Sequence, residues 1–225
     1  MFSRILTSAV FAGFAAGLIF TVLQFFFVQP VLVHAELYET GVKMHFGETG
    51  SSAHGPAISY EMVRNSLSVL FGALIFTGYG LMLAAAMALA EERGVEITSR
   101  KGILWGVAGF VAMQLAPGIS LSPEVPGSAA ADVVLRQIWW FPTVAAAALA
   151  MALLAFGQSW KTWGIAIILL ILPHAIGAPH PDMFTGTTPP ELGSLFAGRV
   201  FGVNLAAWAV LGLFTAYFWN READV

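Results

Sequence analysis

The sequence predicts an all-α membrane protein: a bundle of about six transmembrane helices arranged as three helical hairpins. Three observations carry that prediction. The 225 residues are 58% hydrophobic and only 10% charged, whereas a soluble globular chain is about 25% charged; most of the surface must therefore face lipid. Six apolar runs stand in the chain, each near the length that crosses a hydrocarbon core. None alternates in the manner of a barrel strand. In lipid, a backbone that does not close a barrel must pair its N–H and C=O groups within its own segment, which makes the runs helices.

The runs cover residues 5–33, 66–90, 102–119, 137–157, 163–178 and 200–219, and together they read as a single integral membrane domain over 1–225. The first follows Met1-Phe2-Ser3-Arg4 and resembles a signal peptide only superficially. A signal sequence has an apolar region of about 7–15 residues, and this run is long enough to span, so it reads as a retained first helix. The third and fifth runs are the shortest. Small residues recur inside the runs, as at Gly13/Gly17, Gly72, Gly78/Gly80, Gly106/Gly109 and Ala145 to Ala150. They allow helix backbones to approach closely where hydrophobicity cannot drive association.

Lys and Arg set the orientation. With Met1 inside, Arg4, Arg93, Arg100, Lys101, Lys161 and Arg221 lie on the inner side, and Lys43, Arg64, Arg136 and Arg199 on the outer. The excess follows the positive-inside rule and makes both termini cytoplasmic. Arg64, Arg136 and Arg199 are each expected at the start of a helix, able to snorkel or to pair with a loop carboxylate. In this topology all five histidines and eight of the thirteen acids fall on the outer side. A weak repeat accompanies it. Each hairpin ends its first helix near a proline (Pro30, Pro117, Pro173), passes an outer loop containing an acid, and enters the second helix with an arginine. Parallel repeats of this kind occur in transporters.

Several functions are disfavoured. The net charge of −3 gives no basic surface for nucleic acid. There is no cysteine for a disulfide, a thiolate metal site or a nucleophile. No His-Glu-x-x-His, no phosphate-binding Gly-Lys-Ser/Thr loop and no activated serine is present. No catalytic residue is assigned, and the chain does not read as an enzyme.

The residues able to carry chemistry are cation ligands. Pro173-His174-Ala175-Ile176-Gly177-Ala178-Pro179-His180-Pro181-Asp182 sets two histidines and a carboxylate among prolines and a glycine. Pro173, Gly177 and Pro179 interrupt the helical ladder and free backbone carbonyls. On an ideal helix His174 and His180 would stand about 240° apart, so sharing one ion requires a broken helix. The alternative is a helix end with two interfacial histidines. The second cluster is His34-Ala35-Glu36-Leu37-Tyr38-Glu39. If helix continues, Glu36 and Glu39 share one face, while His34 and Tyr38 share another. The alternative there is a solvated helix end. His45 and His54 lie in a Gly/Ser-rich loop, where single histidines are usually just solvated. Near the midplane stand only uncharged polar groups: Gln24, Thr77, Tyr79, Gln114, Thr143, Asn204 and Thr215. Ion routes normally carry ionisable groups, so a partner chain or an oligomer is expected to complete the path.

Four stretches, in order along the chain, together resemble the CbtA family of predicted cobalt transporter subunits. They are Ala35-Glu36-Leu37-Tyr38-Glu39, Leu115-Ala116-Pro117 with Leu121-Ser122-Pro123-Glu124-Val125-Pro126-Gly127, Arg136-Gln137-Ile138-Trp139-Trp140, and Pro173 to Pro181. The resemblance spans nearly the whole chain in order. Ser122 stands where the family pattern has a second proline. The resemblance implies an inner-membrane protein that takes part in cobalt import linked to cobalamin synthesis. It also implies a small single-helix partner, CbtB, with a histidine tail. Carried over by motif, His174, His180, Glu36, Glu39, Glu124 and Arg136 are the site positions; His34 and Asp182, read from the two clusters and outside the quoted motifs, join the four His and Glu residues as candidate metal ligands. Arg136 would be a structural or gating partner of Glu124. Co²⁺ is then transported, with no tightly bound cofactor, and it accepts the imidazole and carboxylate ligands that a chain without thiols offers. Two other classes remain open: a membrane haem or redox protein with histidine axial ligands, and a scaffold subunit that binds no metal.

Overall fold

The computed structural model describes residues 1–45 and 61–221. Among these residues all regular structure is helical. Helix α1 (Phe2–Leu23) passes through a π-helical turn (Gln24–Val28) into α2 (Gln29–Glu39), giving one 38-residue apolar rod. Helix α3 covers Met62–Glu91. Helix α4 (Ser99–Phe110) passes through a second π turn (Val111–Leu115) into α5 (Ala116–Ser120). Helices α6 (Val133–Phe156), α7 (Trp160–Ile176) and α8 (Pro190–Arg221) follow. Five of the rods are long and apolar enough to span a bilayer; α7, with 17 residues, is the shorter one. At 1.5 Å per residue it reaches roughly 26 Å, the lower limit for a crossing.

The ends of the rods depart from the apolar runs. The first continues six residues past 33, to Glu39, and α8 begins ten residues before 200, at Pro190. Pro at a first helical position loses no needed donor, and Glu191 in the first turn suits the helix dipole. Arg199 is therefore well inside α8 rather than at its start, while Arg64 and Arg136 do lie in the first turns of α3 and α6. Helix α7 runs through Pro173 and ends at Gly177, whose φ of 97° is accessible to glycine. The expected break at Pro173 is thus deferred by one turn. Both π turns precede a proline by the same interval: Pro30 and Pro117 each stand six positions after the first residue of the turn. A wider turn re-pairs backbone groups where the proline ring and its missing donor disrupt the ladder.

The chain divides into two compact units. The first, Met1–Phe27, Ser59–Phe110 and Gly202–Val225, is held by glycine contacts. Gly13 faces the backbone of Phe76 and Thr77, Gly17 that of Gly72 and Ala73, and Gly80 that of Ala9, which seats α1 against α3. Gly102 meets Gly212, and Gly106 meets the carbonyl of Trp208, which seats α4 against α8. At one end, Arg4 donates to both carboxylate oxygens of Glu91 (2.8 and 3.2 Å) and to the carbonyl of Trp219 (2.8 Å). Its guanidinium lies 4.0 Å from the Trp219 ring centroid, and Trp219 Nε1 donates to Glu91. One charge pair thereby ties together α1, α3 and α8.

The second unit, Val28–Ile58 and Val111–Phe201, packs the second π turn and α5 against α6, and α6 against α7. Ala112, Ala116 and Ala147 form its buried apolar centre, with Leu170 against them. Asp132 caps α6 by accepting from the N–H groups of Val134 and Leu135, and Ser159 with Thr162 forms a capping box on α7. Among the described residues, every histidine and every proline belongs to this unit.

Gly106→Ala places a methyl group against the Trp208 carbonyl, whereas a methyl group at Gly78 meets open space. Gly106→Ala should cost about 1–3 kcal/mol of stability by overpacking, seen as a lowered Tm of the detergent-solubilised protein, with Gly78→Ala unchanged. Equal melting of the two variants contradicts the close α4–α8 seat.

Candidate cation site

The candidate ligands named from the sequence lie towards helix ends and in loops of the second unit, and their placement starts with Gly127. The segment Pro123 to Gly127 turns at Gly127 with φ 77°. The Gly127 carbonyl accepts the N–H of Thr187 at 2.9 Å, and the Pro126 carbonyl accepts the Thr188 hydroxyl at 2.6 Å. A Cβ on Gly127 would stand 2.6 Å from each of the Thr187 and Thr188 hydroxyl oxygens and 3.3 Å from Cβ of Glu39. The end of α2, the 121–132 loop and the 177–189 loop therefore meet at one backbone position, and only glycine fits it.

Glu124, on that loop, accepts from Arg136 on α6 at 2.7 Å. The two side chains remain 28% and 30% accessible, so the pair is partly desolvated and is stronger than a fully exposed one. Arg136 also borders a cavity of about 310 Å³, beside Gln114, Ser122, Gln137, Trp140 and Phe201. Its lining residues bring two side-chain amides, one hydroxyl, an indole and this guanidinium.

His174 lies in the last turn of α7, half-buried. Its Nδ1 is 2.7 Å from the Ser120 hydroxyl at the end of α5. The ring packs edge-on to Trp139 at 5.7 Å, and Trp139 Nε1 donates to the Pro173 carbonyl at 3.1 Å. The carbonyl of Pro173 thus serves as an acceptor for α6 as well as for Gly177. Fixing one imidazole nitrogen by a hydroxyl orients the ring and leaves Nε2 for another partner. His180 is exposed, with Nδ1 3.2 Å from the Pro181 carbonyl and its ring stacked on Phe184 at 6.2 Å. Asp182 is exposed as well.

In α2, His34 is buried, with 7% of its surface accessible, and its Nε2 stands 3.2 Å from Lys43 Nζ. Its ring centroid is 5.6 Å from that of Tyr38, as the i,i+4 spacing requires. Glu36 is half-buried and Glu39 exposed. Of the Gly/Ser-rich loop, His45 is described; His54 and Glu48 lie outside the described residues.

The structure therefore brings together Glu124 with Arg136, and Glu39 with the loop at Gly127. Among the described residues, it gathers no three His, Asp or Glu side chains into a group able to hold a metal ion. Sequence reasoning missed Ser120, Trp139, Lys43 and Thr188, whose roles depend on partners far along the chain or across a turn. Gly127-x in a Pro-x-x-Pro-Gly stretch is the one signal that could have pointed to the loop junction.

Gly127→Ala must accept a left-handed φ and crowd two threonine hydroxyls. It should lower stability by about 1–3 kcal/mol, whereas Gly193→Ala, in open space on α8, should leave the thermal transition unchanged. Identical transitions for the two variants contradict a three-loop junction at Gly127.

No curated protein and no solved structure matches this chain. Residues 2–220 match the family model CbtA, described as probable cobalt transporter subunit, and the chain belongs to that family.

Proposed function

We propose that this member of the CbtA family is the membrane-embedded subunit of a complex that imports Co²⁺, with the loop end of the second unit as its point of capture. Family membership carries the transport of cobalt, and the term subunit implies a transport complex. In this reading the chain is one integral membrane domain of the inner membrane, both termini are cytoplasmic, and the imported metal feeds cobalamin synthesis. Glu36 and Glu39 draw the ion in. His174 and His180 bind it, with His34 and Asp182 as further ligands, and the Arg136–Glu124 pair gates the way past the loop.

The ligand assignment is supported by the hold on His174. A histidine that binds metal through one ring nitrogen almost always has the other in a hydrogen bond, and Ser120 makes that bond at 2.7 Å. Imidazole and carboxylate are also the ligands a borderline cation accepts in a chain with no thiol. The lack of any three-ligand group among the described residues fits a coordination sphere completed by a partner. A small single-helix protein of the CbtB type, with a histidine tail, supplies the missing imidazoles. The uncharged helix interiors likewise favour a route shared with a partner or a second copy.

Cobalt accumulation in cells expressing the chain with that partner tests the reading. Relative to wild type, His174→Ala/His180→Ala should lower accumulation by at least about tenfold, the usual effect of disturbing even an outer-shell partner of a metal ligand. Equal uptake removes the two histidines from the ligand set. Wild-type uptake no greater than that of empty cells contradicts transport.

A further inference from the structure

We infer that Lys43 is a tethered stand-in cation: its ammonium group occupies the cation position at His34 when no metal is there, and an arriving divalent cation must displace it. This rests on the proposal that His34 is a cation ligand, and it adds a residue whose function is competition with the cargo.

The local fold places the ammonium there. Helix α2 ends at Glu39, and Thr40 closes it with its N–H and hydroxyl on the Glu36 carbonyl. Gly41, at φ 74°, reverses the chain; its N–H bonds to the Tyr38 carbonyl, and the N–H of Lys43 bonds to the Leu37 carbonyl at 2.9 Å. Two backbone bonds thus fold Lys43 back along the last turn of α2, and Nζ reaches the Nε2 of a residue nine positions earlier at 3.2 Å.

The chemistry of that contact is specific. An ammonium group has donors only, so Nε2 of His34 must accept with its lone pair and the ring must carry its proton on Nδ1. A metal ion takes the same lone pair in the same neutral imidazole. Lys43 and a divalent cation therefore compete for one acceptor, and their like charges exclude joint occupancy. His34 is 7% accessible, and an ammonium drawn to a buried ring nitrogen gives up hydration that an exposed helix-end lysine keeps. A flexible four-carbon stem lets the charge leave without moving the backbone. The same unit holds a second side-chain cation against a polar partner: Arg136 donates to Glu124, its partner in the proposed gate, at 2.7 Å.

The test is titration of the full chain in lipid nanodiscs with CoCl₂ alone, followed by calorimetry and visible absorption. The variants are Lys43→Gln, Lys43→Arg, His34→Gln and the double variant Lys43→Gln/His34→Gln. Lys43→Gln should bind Co²⁺ about tenfold more tightly than wild type, the worth of one charged hydrogen bond no longer in competition. Lys43→Arg should stay at the wild-type value, and the double variant should lose the gain. A merely structural lysine would weaken binding on removal instead. If Lys43→Gln and wild type bind equally while His34→Gln binds more weakly, the competition is overturned and His34 remains a ligand. If His34→Gln changes nothing in either background, the ligand assignment of His34 fails and the competition with it.

Discussion

A bilayer interior offers a peptide group no hydrogen-bond partner, and that constraint orders the rest of this chain. It makes every spanning segment a helix and restricts irregular backbone to places where protein or water can satisfy it. In the first unit the helices are uninterrupted by proline and meet through glycine, so that backbone touches backbone at Gly13, Gly17, Gly102 and Gly106. In the second unit several irregularities have a local remedy. The prolines at 30 and 117 are each preceded by a π turn. The carbonyl of Pro173 takes the indole N–H of Trp139 as well as the backbone of Gly177. A proline-rich loop is closed by bonds from Thr187 and Thr188. The histidines of the described chain belong to this second unit, where backbone and side-chain polar groups already have to find partners among themselves.

Charge obeys the same constraint. Arg4 is divided between Glu91, a backbone carbonyl and an indole face. Arg136 has Glu124, and Lys43 has His34. Each is a cation held in reach of groups that would otherwise stay hydrated, and such pairing lowers the cost of a partly desolvated charge. In the first unit the pairing is a staple between helices. In the second it engages an imidazole, His34, and a loop carboxylate, Glu124.

The six helices are legible in the sequence because hydrophobic length is the dominant signal in lipid. Their ends are less so. Residues 34–39 and 190–199 are too polar to extend an apolar run, yet Pro190 with Glu191 is a helix start by capping chemistry alone. The pairing of Arg136 with Glu124 is suggested by an acid in the loop and a base opening the next helix. The Ser120–His174 contact joins residues 54 positions apart, and a lone serine at a helix end carries no pattern. Lys43 reaches His34 only through the left-handed turn at Gly41. Whether two histidines six residues apart share an ion depends on where the helix stops, and α7 stops one turn after Pro173 rather than at it.

In the proposed transport, imidazoles of the second unit take cobalt directly. Cobalt K-edge X-ray absorption on the full chain, loaded with one equivalent of Co²⁺ in nanodiscs, tests this without reference to transport. Direct ligation predicts a nitrogen and oxygen first shell with the outer-shell scattering of imidazole rings, lost in His174→Ala/His180→Ala. A spectrum with oxygen neighbours alone, like that of the hydrated ion, contradicts it.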